Sequence, residues 1–137
     1  MAKIHKREEE ESEEEWDEEE RDEPEHLSAY IQCYIEGRST PAIVDSGAGG
    51  VILSEATMKE LGWHIEAPTR QTMIVVDGHH SRPLGRVFKL PVQFRPMIIP
   101  ITAIVVDTDS YDLVLGNIWL RKVRAILDFG ALKMRFT

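Results

Sequence analysis

The stretch Asp45-Ser46-Gly47-Ala48 constrains the fold more than any other part of the chain. It follows an apolar run, residues 41–44, and leads through two glycines into a second apolar run, residues 51–53. Aspartate is rarely buried without a partner, because removing its carboxylate from water is costly unless hydrogen bonds or a shared proton offset the loss. A carboxylate at the end of a buried strand therefore predicts a functional turn.

The charge of the chain is concentrated in one segment. Residues 8–25 contain 14 acidic residues and one basic residue, whereas residues 26–137 carry 10 acidic and 12 basic residues. A block of like charges cannot bury enough apolar surface to offset chain entropy. We therefore expect a disordered acidic tail over residues 1–26, either simply solvated or docked on a basic partner, followed by one domain over residues 27–137.

The remaining composition indicates the class of protein. The single cysteine, Cys33, excludes an intramolecular disulfide and is compatible with a reducing compartment. Residues 1–7 lack an apolar segment behind their positive charges, and no apolar stretch approaches the length of a membrane-spanning helix. We expect a cytoplasmic, intracellular protein with no membrane partner. Nucleic-acid binding is not predicted, since the basic patch at residues 121–124 is small and the acidic tail would repel phosphate.

The domain is predicted to consist mainly of strands. A hairpin over residues 29–44, with its turn at 36–39, delivers Asp45 to its loop. Ser54 and Gly62 are the expected N-cap and C-terminal stop of a short helix. A second short helix is expected at residues 118–123, capped by Asn117. Further strands are expected at residues 71–76, 85–94, 97–106, 111–116, 124–129 and 132–136.

Three segments resemble the retropepsin-like aspartic proteases, the family of retroviruses, long-terminal-repeat retrotransposons and their domesticated relatives. Residues 43–48 are similar to the catalytic loop of that family, and residues 114–120 resemble its second signature, where an apolar pair and a glycine lead into a helix. Residues 72–86 resemble its flap hairpin. The resemblance covers about residues 27–137. It implies an all-β fold, the small closed β-barrel-like fold of these acid proteases, with one or two short helices. It also implies that the protein functions as a two-fold homodimer.

By this resemblance Asp45 is the catalytic residue. The family hydrolyses peptides with a water activated between two carboxylates, which share a proton because two carboxyls about 3 Å apart cannot both ionise. The chain has one Asp-Ser-Gly sequence, so the second carboxylate would be Asp45 of another copy in a two-fold dimer. No metal or cofactor is predicted, and the adjacent His79 and His80 are interpreted as exposed polar residues.

The resemblance also implies roles for the neighbours of Asp45. Ser46 would hydrogen-bond across the two-fold axis, the alternative being a local turn bond to its own backbone. Gly47 would let a substrate backbone approach closely, and Ala48 would be small because the site has no room for more. Related enzymes hold the substrate main chain with polar side chains at the positions of the next two residues. The predicted substrate-binding residues are Gly49, Gly50, Val76, Asp77, Gly78 and Val114.

Several apolar positions stay open at this stage. The sequence does not separate subsite from core positions among Val114, Leu115, Ile52, Ile74, Val76 and Ile104. Trp119 is interpreted as a core residue, and residues 132–136 as a strand of the dimer interface. An unpaired hydrophobic edge at that strand would otherwise invite aggregation.

The expected activity is that of a homodimeric aspartic endopeptidase that cuts an extended polypeptide. Its task would be the processing of a polyprotein that contains it, or a proteolytic role adopted by a host. The alternative is a catalytically inactive, retropepsin-like module for dimerisation and peptide binding. The two glycines after Ala48 and the acidic tail motivate that alternative.

Overall fold

The computed structural model describes residues 2–6, 27–76, 78–128 and 133–136 of the 137-residue chain. Within these ranges the protein has two short helices, α1 (Glu55–Glu60) and α2 (Asn117–Lys122), and is otherwise built of strands. The strands are β1 (Ala2–Lys6), β2 (Leu27–Ile35), β3 (Arg38–Asp45), β4 (Val51–Ser54), β5 (Ile74–Val76), β6 (His79–Ser81), β7 (Pro83–Phe94), β8 (Met97–Val106), β9 (Leu113–Leu115), β10 (Ala125–Asp128) and β11 (Lys133–Phe136).

Six of these strands close into a barrel. They pair in the order β2-β3-β9-β4-β8-β7, and β7 returns to β2 through the pairs Tyr34–Gln93 and Ile35–Val92. The short strand β9 lies between β3, to which it is parallel, and β4, to which it is antiparallel. The closed, all-β barrel with two short helices confirms the predicted fold class.

The barrel is filled by alternate side chains of its strands and by one face of α2. Along β3, Thr40, Ala42 and Val44 are buried, as the two-residue period of a strand requires. Trp119 of α2 is fully buried and meets the Phe94 ring edge-on, with ring centroids 6.0 Å apart and planes at 75°. The interpretation of Trp119 as a core residue is confirmed.

Helix α1 begins and ends at the residues that the sequence predicts. The Ser54 hydroxyl accepts a hydrogen bond from the Thr57 N–H at 3.2 Å, which is an N-cap. Gly62 has φ +80°, and its N–H and that of Trp63 bond back to the last turn, at 3.0 Å each. This is a Schellman closure, for which glycine is the preferred residue.

The hairpins follow the predicted pattern, with strand bounds that differ by a few residues. Glu36 and Gly37, with φ 51° and 83°, form a two-residue turn between β2 and β3, whose positive φ angles match the twist of the flanking strands. Strand β5 begins at Ile74, whereas residues 71–73 of the predicted strand are not in regular structure. No helix in the part of the chain that the structure describes is long and apolar enough to cross a membrane.

The prediction of disorder over residues 1–26 is wrong for residues 2–6. Strand β1 pairs antiparallel with β2, with Lys6 opposite Leu27, and also with β11. The sequence does not reveal this strand, because its partners are distant along the chain: the paired residues of β2 are 21 to 25 positions away, and those of β11 more than a hundred. Residues 7–26 lie outside the described residues, and their disorder stays a prediction.

The strand predicted for the dimer interface, β11, has partners on both sides within the chain. It lies between β10 and β1 in the sheet order. The argument that an unpaired edge at this strand requires a second copy therefore does not hold. A dimer that uses β11 would have to form beside these pairings or exchange them.

Candidate active site

The two sequence signatures meet where β3 and β9 end side by side. These strands are parallel, with Ile43 opposite Val114 and Val44 opposite Leu115. The next residues along the chain are Asp45 after Val44 and Gly116 after Leu115. The loop that follows Asp45 and the start of α2 therefore lie side by side at the same end of the two strands. The parallel register thus brings together two motifs that are far apart in the sequence.

The loop after Asp45 is held by the first turn of α2. Amide N–H groups of Gly116, Asn117 and Ile118 donate to the carbonyl oxygens of Gly50, Ala48 and Gly49, at 3.0, 2.8 and 3.0 Å respectively. The first N–H groups of a helix have no partner inside the helix, and here the loop carbonyls satisfy them. We call these three hydrogen bonds the loop clamp.

The prediction that Asn117 caps α2 is wrong. The N-cap is Gly116, which has no side chain to offer, and Asn117 is the first residue of the helix. The loop clamp replaces a side-chain cap. A Cβ atom added to Gly116 would overlap the carbonyl oxygens of Gly50 and Ala48, so the clamp leaves room for glycine alone.

Asp45 is buried at the end of β3, with 8% of its surface exposed. Its Oδ1 accepts a hydrogen bond from the Gly47 N–H at 2.8 Å, and its carbonyl oxygen accepts one from the Ala48 N–H at 3.1 Å. These bonds offset part of the cost of burying the carboxyl group. By strand alternation Asp45 shares a face of β3 with Ile43, opposite to the face that fills the barrel.

The predicted supporting residues lie around this carboxyl group. Ser46 is half-buried, and its hydroxyl makes no hydrogen bond within the described part of the chain, so the local turn bond is not formed. Gly47 is exposed and Ala48 is buried. A Cβ atom on Gly49 or Gly50 would meet nothing within 4 Å. The two glycines therefore leave open space beside the loop.

The predicted flap is a separate two-stranded hairpin. Strands β5 and β6 pair from Ile74–Ser81 to Val76–His79. Gly78 is exposed in the turn with φ +81°, and Asp77 lies outside the described residues. His79 and His80 are both exposed, and among the described residues no group of three or more potential metal-binding side chains is found.

A second apolar cluster connects the flap to the loop, and we call it the flap-floor cluster. The sequence did not show which apolar residues belong to the core and which lie near the site. Leu115 lies in the barrel core, whereas Val114 lies in this cluster and is fully buried. Ile104 is partly buried against it. The buried members are Ala48, Ile52, Ile74, Val76, Val106, Tyr111 and Val114.

A groove of about 330 Å³ lies between β2, β3 and the segment that leads into β9. Its walls include Tyr30 and Ile43 on one side and residues 109–113 on the other. The lining residue of β3 nearest to the site is Ile43, two positions before Asp45, whereas Asp45 itself does not line the groove. The sequence analysis counted Ile43 within the catalytic-loop motif, residues 43–48, but gave it no role of its own.

Tyr111 is a second residue that the sequence reasoning missed. It borders the groove and belongs to the flap-floor cluster, and nothing in its polar loop sets it apart except that it is aromatic. Burial raises the pKa of its phenol, and the Ser81 hydroxyl offsets part of that rise. The phenol is therefore neutral and able to donate a proton to a hydrogen bond throughout the acidic and neutral range.

Comparison with known sequences identifies relatives for most of the chain. A family described as "gag-polyprotein putative aspartyl protease" matches residues 31–131. DNA damage-inducible protein 1 of Yarrowia lipolytica is 29% identical over 96 residues, and that of Eremothecium gossypii is 34% identical over 99 residues. These alignments cover 70% and 72% of this chain but 24% and 21% of the relatives. The chain thus spans about a quarter of their length.

Solved structures show the same architecture. The retroviral protease-like domain of Ddi1 from Leishmania major is 25% identical with a TM-score of 0.61, covering 78% of this chain and 86% of that one. A retropepsin-like aspartic protease from Rickettsia conorii is 17% identical with a TM-score of 0.57, covering 74% and 76%. The second likeness concerns the fold alone. Both structures share the overall fold described above.

Proposed function

Because this chain belongs to the gag-polyprotein aspartyl protease family and has the retropepsin-like fold, we propose that it is a homodimeric aspartic endopeptidase. The observation that carries the proposal is the position of Asp45. Its carboxyl group is buried at the end of a barrel strand, oriented by the Gly47 N–H, and its loop is held by the loop clamp. A purely structural turn would not need a buried acid in such a supported position.

The proposed chemistry needs two copies of the chain. Asp45 of each copy would contribute one carboxyl group, and the pair would share one proton. The ionised carboxylate takes a proton from a water molecule, whose oxygen attacks the scissile carbonyl carbon. The protonated carboxyl donates to the carbonyl oxygen, and the tetrahedral intermediate collapses when the amide nitrogen gains a proton and leaves. Both products are peptides, and no cofactor takes part.

The supporting residues have tasks that their positions allow. The unbonded hydroxyl of Ser46 is available to pair with its counterpart across the two-fold axis. The open space beside Gly49 and Gly50 would receive the substrate main chain without contacts from side chains of its own, so we expect weak subsite binding there. An extended substrate would lie between the flap, including Asp77 and Gly78, and the loop.

Two of the predicted substrate-binding residues are covered in the free chain. Val76 and Val114 are both buried within the flap-floor cluster. They would contact a substrate only after the flap hairpin moves away from the floor. We therefore place them beneath the substrate, as residues that the flap uncovers.

The test compares the 137-residue chain with its Asp45→Asn variant, which keeps the shape of the side chain. At acidic pH and high concentration, we expect the wild type to cut a denatured polypeptide and the variant to cut nothing, while sedimentation gives a dimer for both. Cleavage within residues 1–30 of the chain itself would support a processing role. Cleavage by the variant at the wild-type rate would refute Asp45 as the catalytic residue.

The second candidate function is an inactive peptide-binding module. The observation in its favour is the open space at Gly49 and Gly50, where side chains that hold a substrate main chain are lacking. In that case wild type and Asp45→Asn would be equally inert, would both dimerise, and would bind an extended peptide with the same affinity.

A further inference from the structure

The groove between β2, β3 and the segment that leads into β9 is apolar where it is buried and acidic where it meets solvent. Its buried lining residues include Ile31, Ala42 and Leu113. Its exposed lining residues include two carboxylates, Asp109 and Asp112, and none of the described residues that line it is a lysine, arginine or histidine. Its volume of about 330 Å³ is at the lower end of the range for small-ligand sites. The groove therefore has the size and the charge for one long cationic side chain.

Asp112 is held in place by the start of α1. Its Oδ1 accepts a hydrogen bond from the Thr57 hydroxyl at 3.1 Å, and its carbonyl oxygen accepts one from the Ser54 N–H at 2.9 Å. The part of the chain that the structure describes offers the other carboxylate oxygen no partner. A carboxylate with one oxygen fixed and the other free is preorganised to receive a donor, because it loses little side-chain freedom on binding.

Asp109 adds a second negative charge to the same groove. It is exposed and makes no hydrogen bond or ion pair with the described residues. A single exposed ion pair contributes little to binding. A lysine or arginine would also place its alkyl stem on the buried, apolar part of the groove, and the removal of that stem from water adds to the affinity. The combination of two carboxylates and an apolar surface thus favours a basic side chain over a small cation.

The groove is within reach of a polypeptide that is bound at Asp45. Its lining residues from β3 include Pro41 and Ile43, which are four and two positions before Asp45. Because a strand advances by about 3.3 Å per residue, these positions are about 13 Å and about 7 Å from Asp45 along β3. An extended substrate advances by a similar distance per residue. A side chain in the groove would therefore belong to a residue within about four positions of the scissile bond.

We propose that this groove binds the side chain of a lysine or arginine of the substrate, with the alkyl stem on its apolar lining and the cationic group at Asp109 and Asp112. The inference rests on the proposed protease function and names the class of substrate, a polypeptide with a basic residue near the bond that is cut. A two-fold dimer has one groove in each chain, so the preference should occur on both sides of that bond. The formal net charge of −8 favours the approach of basic polypeptides over a longer range.

The test uses the 137-residue chain and two series of short, otherwise neutral peptides. One series carries a single lysine at each position in turn, and the other carries norleucine, which keeps the alkyl stem and lacks the charge. At positions near the bond that is cut, we expect kcat/KM to be about tenfold higher with lysine, the value of a hydrogen bond to a charged group. Equal values, or a preference for norleucine, would overturn the proposal, because the groove would then bind apolar side chains.

The variants Asp109→Asn and Asp112→Asn remove the two charges. Asparagine at position 112 keeps an oxygen for the Thr57 hydroxyl, so the melting temperatures should stay near that of the wild type. The ratio of kcat/KM for lysine over norleucine should fall several-fold in each variant and to about one in the double variant. Asp107→Asn is the matched control, since Asp107 is an exposed aspartate of the same loop that does not line the groove. A wild-type ratio in the double variant, or an equal fall in Asp107→Asn, would refute the proposal.

Binding to Asp45→Asn provides a readout that does not depend on catalysis. In this background the Kd of the preferred lysine peptides should be about tenfold lower than that of their norleucine counterparts, and the added Asp109→Asn and Asp112→Asn changes should remove the difference. If the wild type cuts nothing but the difference in Kd is present, the protease proposal fails and the recognition of a basic side chain stands. If the wild type cuts both series and Asp45→Asn binds them equally, the recognition of a basic side chain alone fails.

Discussion

At the scale of single residues, Gly116 is tightly enclosed by backbone atoms. A Cβ atom there would overlap two carbonyl oxygens of the loop clamp, so Gly116→Ala has to push the catalytic-type loop away from α2. We expect a loss of about 1–3 kcal/mol in the free energy of unfolding, the usual cost of overpacking, and a large loss of peptidase activity. Urea denaturation measures the free energy of unfolding, and cleavage of a denatured polypeptide measures the peptidase activity.

The matched control for Gly116 is Gly49. An added Cβ atom at Gly49 meets nothing within 4 Å, so Gly49→Ala should leave the free energy of unfolding unchanged. Equal stabilities of the two alanine variants would contradict the tight fit that we describe at Gly116.

Cys33 makes the stability of the protein depend on pH. Burial raises the pKa of its thiol from 9.0 to about 12. A raised pKa in the folded state means that the stabilising contribution is complete below pH 9 and is lost as the pH rises towards 12, because only the unfolded chain releases the proton there. Above pH 9 we expect this group to lower the free energy of unfolding by about 1.4 kcal/mol per pH unit.

The measurement compares the slopes of stability against pH, so that other titrating groups cancel. Urea denaturation between pH 8 and pH 10.5 should show a steeper decline for the wild type than for Cys33→Ala. The cavity in the variant lowers its stability at every pH and does not affect the comparison of slopes. Parallel slopes would mean that the thiol is accessible to water in the folded chain.

At the scale of elements, helix α2 connects the site to the core. Its first turn forms the loop clamp, and its buried Trp119 packs on Phe94 in the barrel. We expect Trp119→Ala to lower the free energy of unfolding by about 3–5 kcal/mol, as for other large core truncations. It should also speed the exchange of the Ile118 amide, which belongs to the clamp. Ile118→Ala, at a position 48% exposed, is the control and should cost much less stability.

A second connection runs from α1 to the loop before β9. The Ser54 hydroxyl donates to Thr57 Oγ1 at 2.7 Å, and the Thr57 hydroxyl donates to Asp112 Oδ1 at 3.1 Å. Because Ser54 is also the N-cap, Ser54→Ala should cost about 1–2 kcal/mol in the free energy of unfolding. A double-mutant cycle with Thr57→Val should show coupling, since the two residues share one network. Additive effects in urea denaturation would argue against that network.

At the scale of the whole molecule, the single Asp45 of each chain determines how activity responds to mixing. If the active unit contains Asp45 from two chains, a dimer of wild type and Asp45→Asn has one catalytic carboxylate and should be inactive. With a ninefold excess of the variant and free exchange of chains, the activity per wild-type chain should fall to about a tenth. The same excess of an unrelated protein is the control. Activity that stays proportional to the wild-type chain would show that one chain suffices.

Much of the local structure could be predicted from the sequence because its signals are local. Ser54 and Gly62 bound α1 through their own backbone preferences, and strand alternation indicated the hairpins. The Asp45 loop stood out because a buried acid is costly. The size and polarity of Trp119 were sufficient to predict a core position. In each case the feature could be predicted because it depends on the residue itself or on neighbours within a few positions of the sequence.

Other features depend on residues that meet only in the folded chain. The strand β1 is defined by partners at β2 and β11, and the absence of a side-chain cap at α2 is understood only when the loop carbonyls lie against it. Val114 and Leu115 are adjacent and chemically alike, yet they enter different clusters because β9 has two faces. The sequence by itself determined which residues could bear the chemistry and approximately where both helices and most of the strands lie. The tertiary structure alone decided which faces meet, because contact between distant segments depends on register and packing that no local pattern encodes.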